Sequence, residues 1–148
     1  MIHVIYMAAG NSRRFGSNKL LYLYEGKPLY RHGLELLLKL KQEMGEKLTV
    51  TVVTQYAEIL EEVQDIFERC GMAGMQAVFC EESRLGASYT IRAGIEAVIS
   101  QDPVSGQPKK GQSMIGEKDY LMFTDVISDG NRNILLIAVH PQLVTYAD

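Results

Sequence analysis

The sequence predicts an α/β fold, a mostly parallel sheet held between two layers of helix. Short β-branched runs alternate with amphipathic helical runs three times along the chain, the pattern that builds parallel strands through helical crossovers. The strand runs are apolar almost throughout, as strands covered on both faces must be. A loop rich in glycine and cations follows the first of them directly, at the strand end where ligands of such sheets bind.

The elements follow in order. "IHVIYM", residues 2–7, is the first buried strand. "GKPLYRHGLELLLKLKQEMG" opens a helix near Pro28 and closes it at Gly45, with Leu34, Leu37, Leu38 and Met44 on the apolar face and Gly33 weakening the first turn. "KLTVTVVT", 47–54, is a second strand. Over 56–70, Tyr56, Ile59, Leu60, Val63, Ile66, Phe67 and Cys70 recur at steps of three and four, an amphipathic helix stopped by Gly71. "MQAVFC", 75–80, is a third strand. A third helix over 86–100 has Ser88 as its N-cap and Ile91, Ile95, Val98 and Ile99 on one side. Residues 101–118 are polar and rich in Gly and Pro, a flexible loop, and "DYLMFT" is a fourth strand.

At 148 residues the chain is read as one domain, 1–148. A formal charge of -3 gives no global basic field, which argues against a nucleic-acid partner. The opening "MIHVIYMAAG" is too short an apolar run, without a basic leader, to be a membrane span or signal segment. Two cysteines, Cys70 and Cys80, lack metal-site spacing and read as thiols in a reducing cytoplasm. The oligomeric state stays open.

The cations are concentrated instead. Arg13, Arg14 and Lys19 share one loop with Gly10 and Gly16. Glycine lets a backbone approach a ligand closely, and successive N–H groups form an anion-binding hollow. Arg presents a planar fork to phosphate oxygens and Lys a compact charge. Gly10, Asn11 and Ser12 are thus expected to offer backbone donors to a polyanion that Arg14 and Lys19 neutralise, while Arg13 adds to the local field. Neither the P-loop spacing nor the G-x-G-x-x-G fingerprint is present. His3 reads as a packed or edge residue, His32 and His140 have no partner that suggests catalysis, and the pair Glu81 and Glu82 reads as solvated.

"MAAGNSRRFGSNKLL" resembles the A-A-G-x-S-x-R-x-G-x-x-K-x-L signature of the MobA-like nucleotidyltransferases, which include the molybdenum cofactor cytidylyl- and guanylyltransferases. Ala8, Ala9, Gly10, Ser12, Arg14, Gly16, Lys19 and Leu20 fall in register, with Met7 where Leu is usual. "GKPLYRHGLELL" resembles the G-x-P-L stretch that opens the next helix. "VVTQY" is similar to V-V-T-G-Y, with Gln55 in place of Gly, and "RLGASYTIRAGIEA" is similar to the G-x-S segment of the family. The resemblance covers residues 1–124. It implies a nucleotide-diphospho-sugar-transferase-like (Rossmann-like) fold, and transfer of a nucleoside monophosphate from an NTP to a phosphate acceptor. It further implies that Ala8 and Ala9 meet the base, that Gly10–Ser12 and Arg14 wrap the triphosphate, and that Lys19 neutralises charge at the α-phosphorus. Thr54, Gly86 and Ser88 complete the substrate site by the same analogy. The A-A-G form points to CTP over GTP, with molybdopterin as acceptor. The alternatives are a sugar- or polyol-phosphate cytidylyl- or uridylyltransferase, and a non-catalytic nucleotide-binding protein.

The pattern breaks after the fourth strand, where the family carries a D-Q-P segment that holds Mg²⁺. Here the chain reads "TDVISDGNRN", so Asp125, or Asp129, is the expected metal ligand if there is one. The fold is expected to be incomplete at its C-terminus, with 125–148 a divergent tail. A shift of reading frame is one origin. Codons GAT-GTG-ATC-AGC for Asp125–Ser128, offset by two bases, encode Cys-Asp-Gln. On that reading "ILLIAV" packs opportunistically or pairs with another copy.

Overall fold

A computed structural model describes residues 1–11, 19–100, 119–126 and 137–139. The proposed flexible loop, 101–118, lies outside them. The main sheet contains β1 (Ile2–Met7), β4 (Leu48–Thr54), β5 (Met75–Phe79), β6 (Tyr120–Asp125) and β7 (Ile137–Val139), ordered β5-β4-β1-β6-β7. The first four are parallel and β7 is antiparallel to β6. A two-stranded hairpin, β2 (Leu23–Tyr24) and β3 (Lys27–Pro28), precedes helix α1 (Leu29–Met44). Helices α2 (Ala57–Cys70) and α3 (Ala87–Ser100) follow β4 and β5.

β1 is the central strand, which explains its continuous apolar character. Val4 and Tyr6 point into a core with Tyr30, Leu34 and Leu37 of α1 and Ile59, Val63, Ile66 and Phe67 of α2. Ile5 points the other way, to Val53, Leu121, Phe123 and Val98 of α3. Three layers result, as the sequence predicts. Each fully buried aliphatic side chain contributes about 1.5–3 kcal/mol relative to exposure.

Two helical glycines set the layer spacing. A Cβ on Gly33 of α1 would stand 2.5 Å from Tyr6 Oη, and one on Gly94 of α3 would stand 2.5 Å from Ile5 Cγ2. Each helix therefore approaches β1 at a residue without a side chain, from opposite faces. Tyr6 is further fixed by its hydroxyl, which donates to the Tyr30 carbonyl at 2.8 Å.

Four expectations change in detail. The buried stripe of α1 is Tyr30, Leu34, Leu37 and Lys41, while Leu38 and Met44 only flank the core. Lys41 is buried because its ammonium donates to the carbonyls of Gly45 (2.7 Å) and Leu48 (2.5 Å), closing the turn from α1 into β4. In α2, Ile59, Val63, Ile66 and Phe67 are buried and Cys70 is exposed. Gly71 ends it in the left-handed region as expected (φ 65°). In α3 the buried stripe is Thr90, Gly94 and Val98, and Ile91 is exposed. Ser88 is the second residue of α3 and exposed, not its N-cap, because the helix already begins at Ala87. Finally, Ile137–Val139 pairs with β6 of its own chain, Leu121 opposite Val139 and Phe123 opposite Ile137.

Candidate functional site

Strand order fixes where a ligand can sit. From β1 the chain moves outward through β4 to β5, then returns to the other side of β1 as β6. The crevice beyond the carboxyl ends of β1 and β6 is thus the topological switch point, the usual ligand position in such sheets. The glycine loop leaves β1 there, and Asp125 ends β6 in register with Met7.

Both ends of the loop are held. At the near end Ala8 and Ala9 are buried, and the Ala8 N–H donates to the Val53 carbonyl at 2.8 Å, extending the parallel ladder. Gly10 and Asn11 emerge into solvent, and a Cβ on Gly10 would meet nothing within 4 Å. At the far end the turn Lys19–Leu21 plants Leu20 in the core with Tyr30 and Leu34. Ser12, Arg13, Arg14 and Gly16 lie outside the described residues, and for Lys19 only the backbone is described.

Gln55 and Tyr56, between β4 and α2, grip the near end. The Gln55 amide nitrogen donates to the Ala9 carbonyl (2.6 Å) and to Asn11 Oδ1 (2.9 Å). The Asn11 amide nitrogen donates in turn to the Arg84 carbonyl at 2.9 Å. Tyr56 Oη donates to the Gly10 carbonyl, and burial pushes that phenol's pKa above its ordinary value. Three strand-end segments, from β1, β4 and β5, are thereby tied together. Ala9, Gly10 and Asn11 were candidates by sequence; Gln55, Tyr56 and Arg84 were not. The signal for Gln55 was present as the departure from V-V-T-G-Y, whereas nothing local marks the Arg84 carbonyl.

Thr54 is fully buried within this framework. Its hydroxyl accepts the Tyr56 N–H at 3.2 Å, and its carbonyl accepts the Cys80 N–H at 2.8 Å. Gly86 joins the 3-10 turn Glu81–Leu85 to α3 with φ 154°, a conformation that favours glycine. A buried hydroxyl pair supports that turn, Thr90 Oγ1 donating to Ser83 Oγ at 2.7 Å. Ser88 stands exposed in the first turn of α3.

Comparison with protein families gives a match to the MobA-like NTP transferase domain over residues 4–105. The chain belongs to this family. The matched segment runs from β1 through α3 and so contains the glycine loop, Gln55 and Gly86, while β6, Asp125 and β7 lie beyond it. Neither curated proteins nor solved structures gave a match. As a MobA-like domain the chain is a nucleotidyltransferase by family, and the glycine loop leaves β1 at the switch point.

Among the described residues, no group of three or more His, Cys, Asp or Glu is placed to hold a metal ion. Mg²⁺ bound together with phosphates needs only one or two carboxylates, and the backbone of Asp125 ends β6 on the same rim as the glycine loop.

The opposite end of the sheet carries a separate polar cluster. His3 is buried, with Nδ1 2.7 Å from Thr49 Oγ1 and Nε2 3.2 Å from Asp119 Oδ2. The amino terminus lies 3.0 Å from the same carboxylate. Burial, the largest influence, lowers the His3 pKa despite Asp119. This cluster packs the base of the sheet, as the sequence reading of His3 expects.

Proposed function

We propose that the domain transfers CMP from CTP to the terminal phosphate of a molybdopterin-type acceptor. An acceptor phosphate oxygen forms a bond to the α-phosphorus, the bond from that phosphorus to the β-phosphate bridge breaks, and pyrophosphate leaves. The observation that carries the reading is an A-A-G loop of a MobA-like domain leaving β1 at the switch point. Catalysis of this kind rests on positioning and electrostatic stabilisation. In this reading the Gly10–Ser12 backbone and Arg14 hold the triphosphate, and Lys19 meets the charge that develops at the α-phosphorus. Arg13 adds to the local field and Gly16 belongs to the same substrate loop, and Gly86 and Ser88 border the acceptor side. Mg²⁺ would be held by Asp125 and the phosphates, and when bound it offsets triphosphate charge. Two cysteines without a disulfide, Cys70 and Cys80, support a reducing cytoplasmic setting. No helix among the described residues is long and apolar enough to cross a membrane.

Turnover of CTP with a molybdopterin-type acceptor and Mg²⁺ tests this. Lys19→Ala and Arg14→Ala are each expected to lower kcat/KM by about 10²-fold or more with unchanged thermal unfolding. Wild-type rates in both variants would refute the assignment. A second reading, a nucleotide binder without turnover, draws on the departure from the family's D-Q-P segment after β6. Calorimetric binding of CTP without Mg²⁺-dependent pyrophosphate release would favour it.

A further inference from the structure

We infer that Gln55 is a positioning residue that holds the start of the nucleotide loop in its working shape before any ligand arrives; this rests on the nucleotide-binding reading above. The direction of its hydrogen bonds follows from carbonyls that can only accept. The Ala9 carbonyl requires the nitrogen end of the Gln55 amide. The Arg84 carbonyl requires the nitrogen end of the Asn11 amide, so the Asn11 oxygen is turned toward Gln55. Both Gln55 amide hydrogens are then used, one on each side of Gly10. A glycine flanked by exposed backbone is the costliest place to fix a chain, since it loses the most conformational freedom. The strap removes that cost ahead of binding, which is how preorganisation raises affinity.

The strap also spends both ends of the Asn11 side chain. Its amide thereby couples the nucleotide loop to the Glu81–Leu85 turn. Gln55 acts on every nucleotide alike, because it shapes the backbone and does not read a base.

NMR backbone order parameters of the full chain and nucleotide titration test this together. Gln55→Ala, without nucleotide, is expected to lower the backbone order parameters of Gly10 and Asn11 from rigid values of about 0.85 to below about 0.6. CTP, GTP, ATP and UTP binding should each weaken by a similar factor of about ten, the equivalent of losing one to two net hydrogen bonds. Gln55→Glu keeps the size but sets a carboxylate against two acceptors. Its binding defect should shrink as pH falls and the carboxyl regains a proton, a profile absent from the wild type. Unchanged order parameters at Gly10 and Asn11 in both variants would overturn the proposal. So would loss of affinity for one base alone, which would make Gln55 a reader of the base. If the wild type binds none of the four nucleotides, the functional reading fails, and the order parameters still decide whether Gln55 holds the turn.

Discussion

His3 shows how a single side chain ties pH to folding. Burial holds its folded-state pKa below 6.5, so the folded chain keeps the ring neutral. As pH falls through 6.5 the unfolded chain takes up the proton first, so the unfolded state is favoured and stability declines. Urea midpoints measured from pH 7.5 to 5 should therefore fall, with a contribution of at most about 1.4 kcal/mol per pH unit from this group. His3→Asn should flatten that part of the slope, and an unchanged slope would assign the acid sensitivity elsewhere. The residue scale is also where the sequence was least legible. Lys41 looks like a solvated helix residue, yet it is buried by two carbonyls that meet it only after α1 and β4 are in place. Gln55 finds partners 46 and 44 residues away. Spacing along a chain cannot encode such meetings.

At the scale of elements, legibility followed periodicity. The strand runs and α2 were readable because burial on a sheet or helix face imposes a period on the chain. The hairpin β2–β3 was not, since each strand has two residues and Leu23 and Tyr24 are exposed. Its turn is built by Glu25 and Gly26, both with positive φ, as the favoured two-residue hairpin requires. Gly33 was legible only as a weak point in its helix and Gly94 not at all, whereas the structure makes both contact points. Alanine at either position gains about 1 kcal/mol in helix propensity but must displace Tyr6 or Ile5. Overpacking of this kind typically costs about 1–3 kcal/mol. Gly94→Ala is expected to lower stability more than Gly33→Ala, because it meets a β-branched methyl close to the backbone of the central strand. Thermal unfolding of the two variants checks the order, and a stabilised Gly94→Ala would contradict the close packing.

For the whole molecule, topology does the functional work. The order β5-β4-β1-β6 gathers segments from three strand ends around one crevice, and the A-A-G loop was legible there because its motif is local. The parallel core stood out in the sequence. The fifth strand did not, since Ile137–Val139 falls in the part that departs from the family pattern. Its backbone nonetheless occupies the outer side of β6, the one flank of the parallel four that would otherwise be left bare next to the crevice. Unpaired strand flanks recruit other chains. A chain cut at Val126 should therefore become self-adhesive, with light scattering that climbs with concentration while the full-length protein stays clear. On this view the tail serves less as an appendix to the enzyme than as a selvedge, a woven border that keeps the sheet from unravelling into its neighbours.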